Sequence, residues 1–282
     1  MGGIIWLASY PKSGNTWART FLHNLLLNPD TPVDINTITN FTLRDGSKSY
    51  YETVGGKTFD NFTAREVAAL IPKVHEHFTK LHPDSVFVKT HSAVGAAFGV
   101  PLITLDYTAG GFYFVRNPLD VAISFSHHLG VGLDEGIDLL NHSNAHSTAS
   151  SPDEHGRGSM EELYGTWSDH VSSWLQFNQR PMHIIRYEDM LEKPMETFGG
   201  MASFLGLNPP AERLAKAIKF SSFDTLAKQE KEKGFNEQAK NSDTFFRAGK
   251  SGQWKDILTE KQVDKIINCH HALMKRFGYL PK

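Results

Sequence analysis

Apolar and polar positions along this chain fall into blocks that favour a strand, then a helix, then a strand again. Ile4-Ile5-Trp6-Leu7-Ala8 is a continuous apolar run of the kind required by a strand covered on both faces. In Trp17–Leu27 the residues Trp17, Phe21, Leu22, Leu25 and Leu26 share one helical face. Thr63–Lys80 reads as a helix with Thr63 as N-cap and Glu66 at capping-box spacing, and Pro72 is expected to kink or end it. Asp84–Val88 reads as a second short strand, and Pro101–Tyr107 as another. Phe112-Tyr113-Phe114-Val115, after Gly110-Gly111, is the clearest strand. It ends at Arg116-Asn117-Pro118, where Asn117 suits an N-cap and Pro118 the first position of a helix over Pro118–Leu129.

Ser159–Phe177, Met195–Leu205, Ala211–Phe220 and Glu260–Phe277 carry further helical patterns, and Met182-His183-Ile184-Ile185 one more strand. Asn28–Lys57 and Gln229–Thr244 read as irregular surface structure, the latter as a loop or frayed helix. Gly130–Gly158 is rich in Gly, Ser and His without a sustained period; it reads either as a disordered surface loop or as a lid. Strands alternating with helices predict an α/β fold: a central, mostly parallel sheet with helices on both faces. One domain is expected over residues 1–282, with a mobile loop around 130–158. Such sheets bind ligands beyond the carboxyl ends of their strands. Lys12, His91, Arg116 and Tyr187 all lie just past predicted strand ends.

Composition narrows the chemistry. A formal net charge of -2 argues against a general nucleic-acid partner, so any anion site must be a local gathering of Lys and Arg. The single Cys, Cys269, excludes an intrachain disulfide framework and a Cys-based metal site. His127, His128, His142, His146 and His155 show no metal-ligand spacing, so no metal is expected. No apolar run reaches membrane-spanning length and no signal peptide is evident, so the expected setting is cytoplasmic.

The first predicted strand runs into Ser9-Tyr10-Pro11-Lys12-Ser13-Gly14-Asn15-Thr16-Trp17 and then into a helix. That order aims free backbone N–H groups of a helix N-terminus at whatever the loop holds, and they favour an anion. Lys12 adds a positive charge, Ser13 and Thr16 add hydroxyls, and Gly14 permits close backbone approach. The loop is not the nucleoside-triphosphate motif G-x-x-x-x-G-K-[ST], because its Lys precedes the only Gly. Arg116 can hold a phosphate through two N–H groups, and Ser124 lies about two helical turns further on. Arg247, Gly249, Lys250 and Gly252 form a second basic, Gly-rich segment. His91, beside Lys89 and Thr90, suits a general base near neutral pH. Two anion sites, a loop lysine and a base suit transfer of an anionic group from a doubly phosphorylated nucleotide. An ATP-dependent small-molecule kinase with an atypical phosphate loop is the alternative, and a nucleotide-binding module without catalysis a third reading.

Five segments, in order from residue 10 to residue 255, resemble the soluble sulfotransferases. Tyr10–Trp17 is similar to the family's 5′-phosphosulfate loop, Lys89-Thr90-His91 to its K-T-H, and Arg116–Ser124 to its 3′-phosphate motif. Arg186-Tyr187-Glu188-Asp189 resembles its Y-E-D, and Phe246–Lys255 its R-K-G-x-x-G-D-W-K segment. The resemblance implies a P-loop-like sulfotransferase fold. It implies 3′-phosphoadenosine 5′-phosphosulfate (PAPS) as donor, adenosine 3′,5′-bisphosphate (PAP) as product, and a small-molecule acceptor with a hydroxyl or, less readily, an amine. By position, Lys12, Ser13, Gly14, Asn15, Thr16 and Trp17 surround the phosphosulfate and adenine. Arg116, Ser124, Arg247, Ala248 and Gly249 hold the 3′-phosphate; Tyr187, Ser222 and Phe223 lie by the adenine. His91 takes the acceptor's proton and Lys12 stabilises the leaving group. His127, His128 and Lys89 are candidates for the acceptor side. Asn15, Ala248 and Gln253 depart from the commoner Thr, Lys and Asp. The chain begins close to its first strand and resembles the bacterial members that modify natural products or other small molecules. Family members often dimerise, which leaves a homodimer open.

Overall fold

In the computed structural model, which describes residues 2–148, 150, 158–238 and 244–281, the apolar runs become strands of a five-stranded sheet. The strands of the chain are β1 (Ile4–Ser9), β2 (Leu43–Arg44), β3 (Val86–Thr90), β4 (Ala96–Ala97), β5 (Val100–Pro101), β6 (Thr108–Val115) and β7 (Met182–Arg186). The helices are α1 (Asn15–Leu27), α2 (Ile38–Phe41), α3 (Lys48–Gly55), α4 (Ala64–Leu81), α5 (Pro118–Leu129), α6 (Leu133–Leu140) and α7 (Trp167–Leu175). They continue with α8 (Tyr187–Glu192), α9 (Pro194–Phe204), α10 (Ala211–Phe220), α11 (Phe223–Lys233), α12 (Trp254–Ile257) and α13 (Glu260–Phe277). The large sheet has the order β2-β3-β1-β6-β7; β4 and β5 form a separate short hairpin. The expected α/β class, a parallel central sheet among helices, is the observed one.

The chain packs as two units. One comprises Met1–Tyr10, Thr42–Tyr113 and His142–Met182. Here β1 and β3 pair in parallel from Ile4 opposite Val86 to Ala8 opposite Thr90, so the two strands end together. That pairing carries β3 two residues past the predicted end and draws Lys89 and Thr90 into the strand. Trp6 is fully buried, and its indole N–H donates to Thr108 Oγ1 at 2.9 Å, which satisfies the polar end of a large apolar side chain. His75 donates or accepts between Asp45 Oδ1 (3.0 Å) and Thr104 Oγ1 (2.8 Å), so the buried ring has both nitrogens satisfied.

The other unit comprises Pro11–Phe41, Phe114–Asn141 and His183–Lys282. Its core includes the apolar face of α1, where Phe21 meets Phe198 with ring centroids 4.3 Å apart. α5 starts as its sequence requires: Asn117 Oδ1 accepts the Leu119 N–H at 3.0 Å and Pro118 fills the first helical position.

Local pattern and tertiary packing disagree at five places. α4 runs on through Pro72 to Leu81. A proline in a helix interior costs about 3 kcal/mol, but Leu70, Ile71, Val74, His75 and Phe78 are buried on both sides of it and hold the helix in place. The segment 130–158 contains α6, anchored by the fully buried Ile137 and Leu140. The strand-like bridges of Ser150 with Ser159 and His146 with Leu163 follow it. His155 and the rest of 151–157 lie outside the described residues. The predicted Ser159–Phe177 helix is confined to Trp167–Leu175, because residues 159–164 bond to other segments: Met160 N–H donates to Gly46 O and Tyr164 N–H to Ala145 O, both at 2.8 Å. Pro101–Tyr107 yields only the end of a hairpin and one turn of 3-10 helix, and the irregular Asn28–Lys57 contains α3.

Gly136 of α6 faces Ser126 of α5 so closely that an added Cβ would lie 1.9 Å from Ser126 Oγ and 2.9 Å from Ser126 Cβ. Helix propensity alone favours Ala over Gly by about 1 kcal/mol. Gly136→Ala is nevertheless expected to lower stability by about 1–3 kcal/mol through overpacking. A urea titration that gave a higher midpoint for this variant would contradict the α5–α6 packing.

Candidate active site

The loop after β1 turns through two left-handed residues, Lys12 (φ 66°) and Gly14 (φ 97°). The first costs a non-glycine residue on the order of 1 kcal/mol. Gly14 has a second constraint: a Cβ there would come within 2.8 Å of the Tyr187 ring. The turn places Ser13 and Asn15 at the start of α1, where backbone N–H groups lack helical partners. Ser13 is fully enclosed, yet among the described residues its hydroxyl has no hydrogen-bond partner, and neither has the buried indole N–H of Trp17. Buried polar groups left this way cost stability unless a ligand meets them.

Lys12 Nζ lies 3.9 Å over the Phe245 ring and makes no ion pair among the described residues. Loss of water around the ammonium, and then the Arg116 guanidinium, pull its pKa down to about 7. Arg116, buried at the end of β6, donates to Lys12 O and Lys250 O, both at 3.0 Å, and stacks over Tyr187 at 4.2 Å. Arg116 also has no carboxylate partner among the described residues, whereas the fully buried Arg19 is held by both oxygens of Glu237 at 2.8 and 2.9 Å. The acidic residues close to Arg116 in sequence or space bind elsewhere. Asp120 accepts the N–H groups of Gly252 (2.6 Å) and Trp254 (3.1 Å), which ties the C-terminal glycine-rich segment to α5. Glu188 accepts the Asn117 N–H (3.1 Å) and the Tyr279 hydroxyl (2.8 Å).

Gly249 (φ 58°) passes so near Phe223 that a Cβ would sit 2.3 Å from its ring, while Ser222 caps α11 by accepting the Thr225 N–H. Arg247 donates to Gln253 Oε1 at 2.8 Å, a role for Gln253 that its sequence position did not suggest. Ala248 lies between them. Ser124 is half-buried on α5, and Thr16 is half-buried in the first turn of α1. His128, near the end of α5, has its ring 6.3 Å from Phe245, the ring under Lys12; His127 precedes it in the same turn. All the donor-side candidates from Lys12 onward, except those on the base side, therefore belong to one unit.

His91 and Lys89 belong to the other. Because β1 and β3 end in register, His91 falls beside Ser9: its Nδ1 is 2.7 Å from Ser9 O and 3.2 Å from Ser9 Oγ. A carbonyl only accepts, so Nδ1 carries the proton and Nε2 keeps a lone pair. The His91 N–H donates to Glu162 Oε1 at 2.8 Å, and its carbonyl accepts from His170 Nε2 at 2.9 Å. His170 Nδ1 in turn accepts from the Tyr113 hydroxyl at 2.8 Å. Burial, helped by Lys89, lowers the His91 pKa to about 3, so the ring is neutral at physiological pH. Lys89 Nζ is buried 3.8 Å from Glu162 Oε2. Neither Glu162 nor His170 stood out in the sequence, where they are 71 and 79 positions from His91.

Comparison with known proteins identifies the family. The family model described as "Sulfotransferase domain" matches residues 4–278. Sulfotransferase 1B1 of Canis lupus familiaris is 27% identical over 269 residues, covering 92% of this chain and 79% of that protein. Cytosolic sulfotransferase 13 of Arabidopsis thaliana is 27% identical over 278 residues, covering 92% and 73%. Among solved structures, mouse sulfotransferase SULT7A1 complexed with PAP aligns with a TM-score of 0.61 at 19% identity, covering 97% of this chain and 85% of that one. Retinol dehydratase in complex with androsterone and inactive cofactor PAP aligns with a TM-score of 0.64 at 19% identity, covering 96% and 80%. With a family model matched along nearly its whole length, this chain belongs to the sulfotransferase family.

Proposed function

We propose that this protein transfers the sulfuryl group of PAPS to a hydroxyl of a small-molecule acceptor, with His91 as general base and Lys12 stabilising the leaving group. The observation that carries the reading is a cradle with unmet positive charge. Lys12 and Arg116 lack carboxylate partners among the described residues, and the enclosed Ser13 hydroxyl lacks any, at the N-terminus of α1. An anion with several oxygens satisfies all of them at once. When bound, the donor supplies a sulfuryl group on the bridging oxygen of its 5′-phosphate. The α1 N–H groups, Ser13 and Lys12 would hold that phosphosulfate, and Arg116 with the 247–249 segment the 3′-phosphate. Tyr187 and Phe223 would flank the adenine.

Each residue then has a task that its environment suits. His91 Nε2 takes the proton as the acceptor oxygen forms its bond to sulfur, because Ser9 O fixes the tautomer that leaves Nε2 free. Lys12 faces the negative charge that grows on the bridging oxygen as its bond to sulfur breaks, and low hydration makes that interaction strong. Ser9 precedes Lys12 by three residues, so the strand that orients the base leads directly into the loop that holds the donor. The relatives whose structures carry PAP, one of them with androsterone, support a nucleotide donor and a small alcohol as acceptor.

A transfer assay tests the reaction. Labelled PAPS and a mixed library of alcohols, phenols and amines should give products heavier by one sulfuryl group. His91→Ala should lower kcat by about 10²–10⁴-fold while PAP binding persists. Full activity in this variant would remove the proposed base. Preference for ADP over PAP in a competition assay would favour the kinase reading instead.

Anion binding should also raise the depressed Lys12 pKa, since negative charge favours the ammonium. PAP binding near pH 8 is therefore expected to take up protons, and affinity to fall as pH rises through and above about 7. Calorimetry in buffers of different ionisation enthalpy reads the uptake, and Lys12→Met should abolish the Lys12 share. Asp120→Ala should release the Gly252 and Trp254 amides and weaken PAP binding about tenfold, with faster hydrogen exchange at those two amides as the structural readout.

A further inference from the structure

Residues 158–166 carry a carboxylate to the base from a part of the chain whose sequence pattern reads mostly as helix. The delivery is built by backbone pairing. Ser147 N–H donates to Glu162 O at 3.0 Å, Glu162 N–H donates to Ser147 Oγ at 2.8 Å, and Ala93 N–H donates to Leu163 O at 2.8 Å. Glu162 is thereby buried with Oε1 on the His91 N–H and Oε2 beside Lys89. A buried carboxylate costs several kcal/mol to desolvate and is retained where it has partners.

We infer that Glu162 is a positioning residue for His91. Its carboxylate fixes the His91 backbone through the N–H and steadies the imidazolium that forms when Nε2 accepts the acceptor's proton, while Lys89 balances its charge. This rests on the reading of His91 as the base. The groups that face His91 come from every neighbouring segment: Ser9 from β1, Lys89 from its own strand, His170 from α7, and Glu162 and Tyr164 from residues 158–166. Arg44 acts on Glu162 from β2, and Tyr10 and Tyr113 contact His170. Of these, Glu162 is the carboxylate. Burial alone would raise its pKa, but Lys89, His91 and the His91 N–H outweigh burial and hold it at about 2, so it is ionised throughout the working range. It faces a ring that must gain a positive charge during turnover and gives that charge a fixed counterion.

Substitutions of opposite sign separate this role from a merely structural one. Glu162→Gln keeps an oxygen that can accept the His91 N–H but removes the negative charge. It should lower kcat by about tenfold, leave KM for PAPS within about twofold, and move the acidic limb of the kcat profile to lower pH by about half a unit or more. Lys89→Gln removes the balancing positive charge and should move that limb to higher pH. Both variants are first checked by circular dichroism. Where Glu162→Gln fails to fold, the Lys89→Gln shift decides alone: a move to higher pH supports the inference and an unmoved limb overturns it. Wild-type kcat with an unmoved limb in folded Glu162→Gln overturns it, as do shifts of the same sign in both variants. His91→Ala, run alongside, distinguishes the two failures. Retained activity there removes the base and this inference with it; an inactive His91→Ala beside a wild-type-like Glu162→Gln removes only the inference.

Discussion

A positive charge withdrawn from water needs negative charge close by, and the loop after β1 withdraws one without supplying the other. Arg116 is buried and Lys12 half-buried, and neither meets a carboxylate among the described residues. The contrast with Arg19 is informative, because that guanidinium receives both oxygens of Glu237 and is electrostatically complete. Asp120 and Glu188 lie near the cradle but are occupied by backbone N–H groups and a tyrosine hydroxyl. Those hydrogen bonds fix the surrounding segments. Burial, with Arg116 nearby, depresses the Lys12 pKa, and the Ser13 hydroxyl has no partner among the described residues. Such an arrangement suits a polyanion, as the proposed donor requires.

The surroundings of His91 follow the opposite pattern. His91 has its backbone N–H, its carbonyl and its Nδ1 all engaged, by Glu162, His170 and Ser9 respectively. Nε2 keeps its lone pair, the one through which the proposed base would act. The arrangement depends on the parallel register of β1 and β3, since a slip of one residue would turn His91 to the other face of the sheet. For the proposed base, the hydrogen bond to the Ser9 carbonyl orients the ring without giving it a second strongly basic partner.

Local sequence rules account for much of what was legible. α5, α10 and α13 occupy the predicted residues, because caps such as Asn117 and Thr259 and an apolar stripe act over a few residues. The strand–loop–helix order at residues 4–27 was readable for the same reason. Where pattern failed, burial had overruled it: α4 passes through Pro72, and α6 forms around Ile137 and Leu140 despite Gly136. The motifs around His91, Arg116, Tyr187 and Arg247 were recognisable as a set and pointed to the family that the whole-chain comparison supports.

By itself, then, the amino-acid sequence determined the class of fold and the family, because each is written in short-range pattern and motif. Only the tertiary structure decided which of the charged side chains lack a carboxylate partner among the described residues, which nitrogen of His91 carries the proton, and that Glu162 meets the His91 backbone N–H. Such pairings join positions 71 to 134 residues apart, as in Glu162 with His91 and Lys250 with Arg116. They arise from strand register and core packing, which bring distant segments together with no trace in local composition.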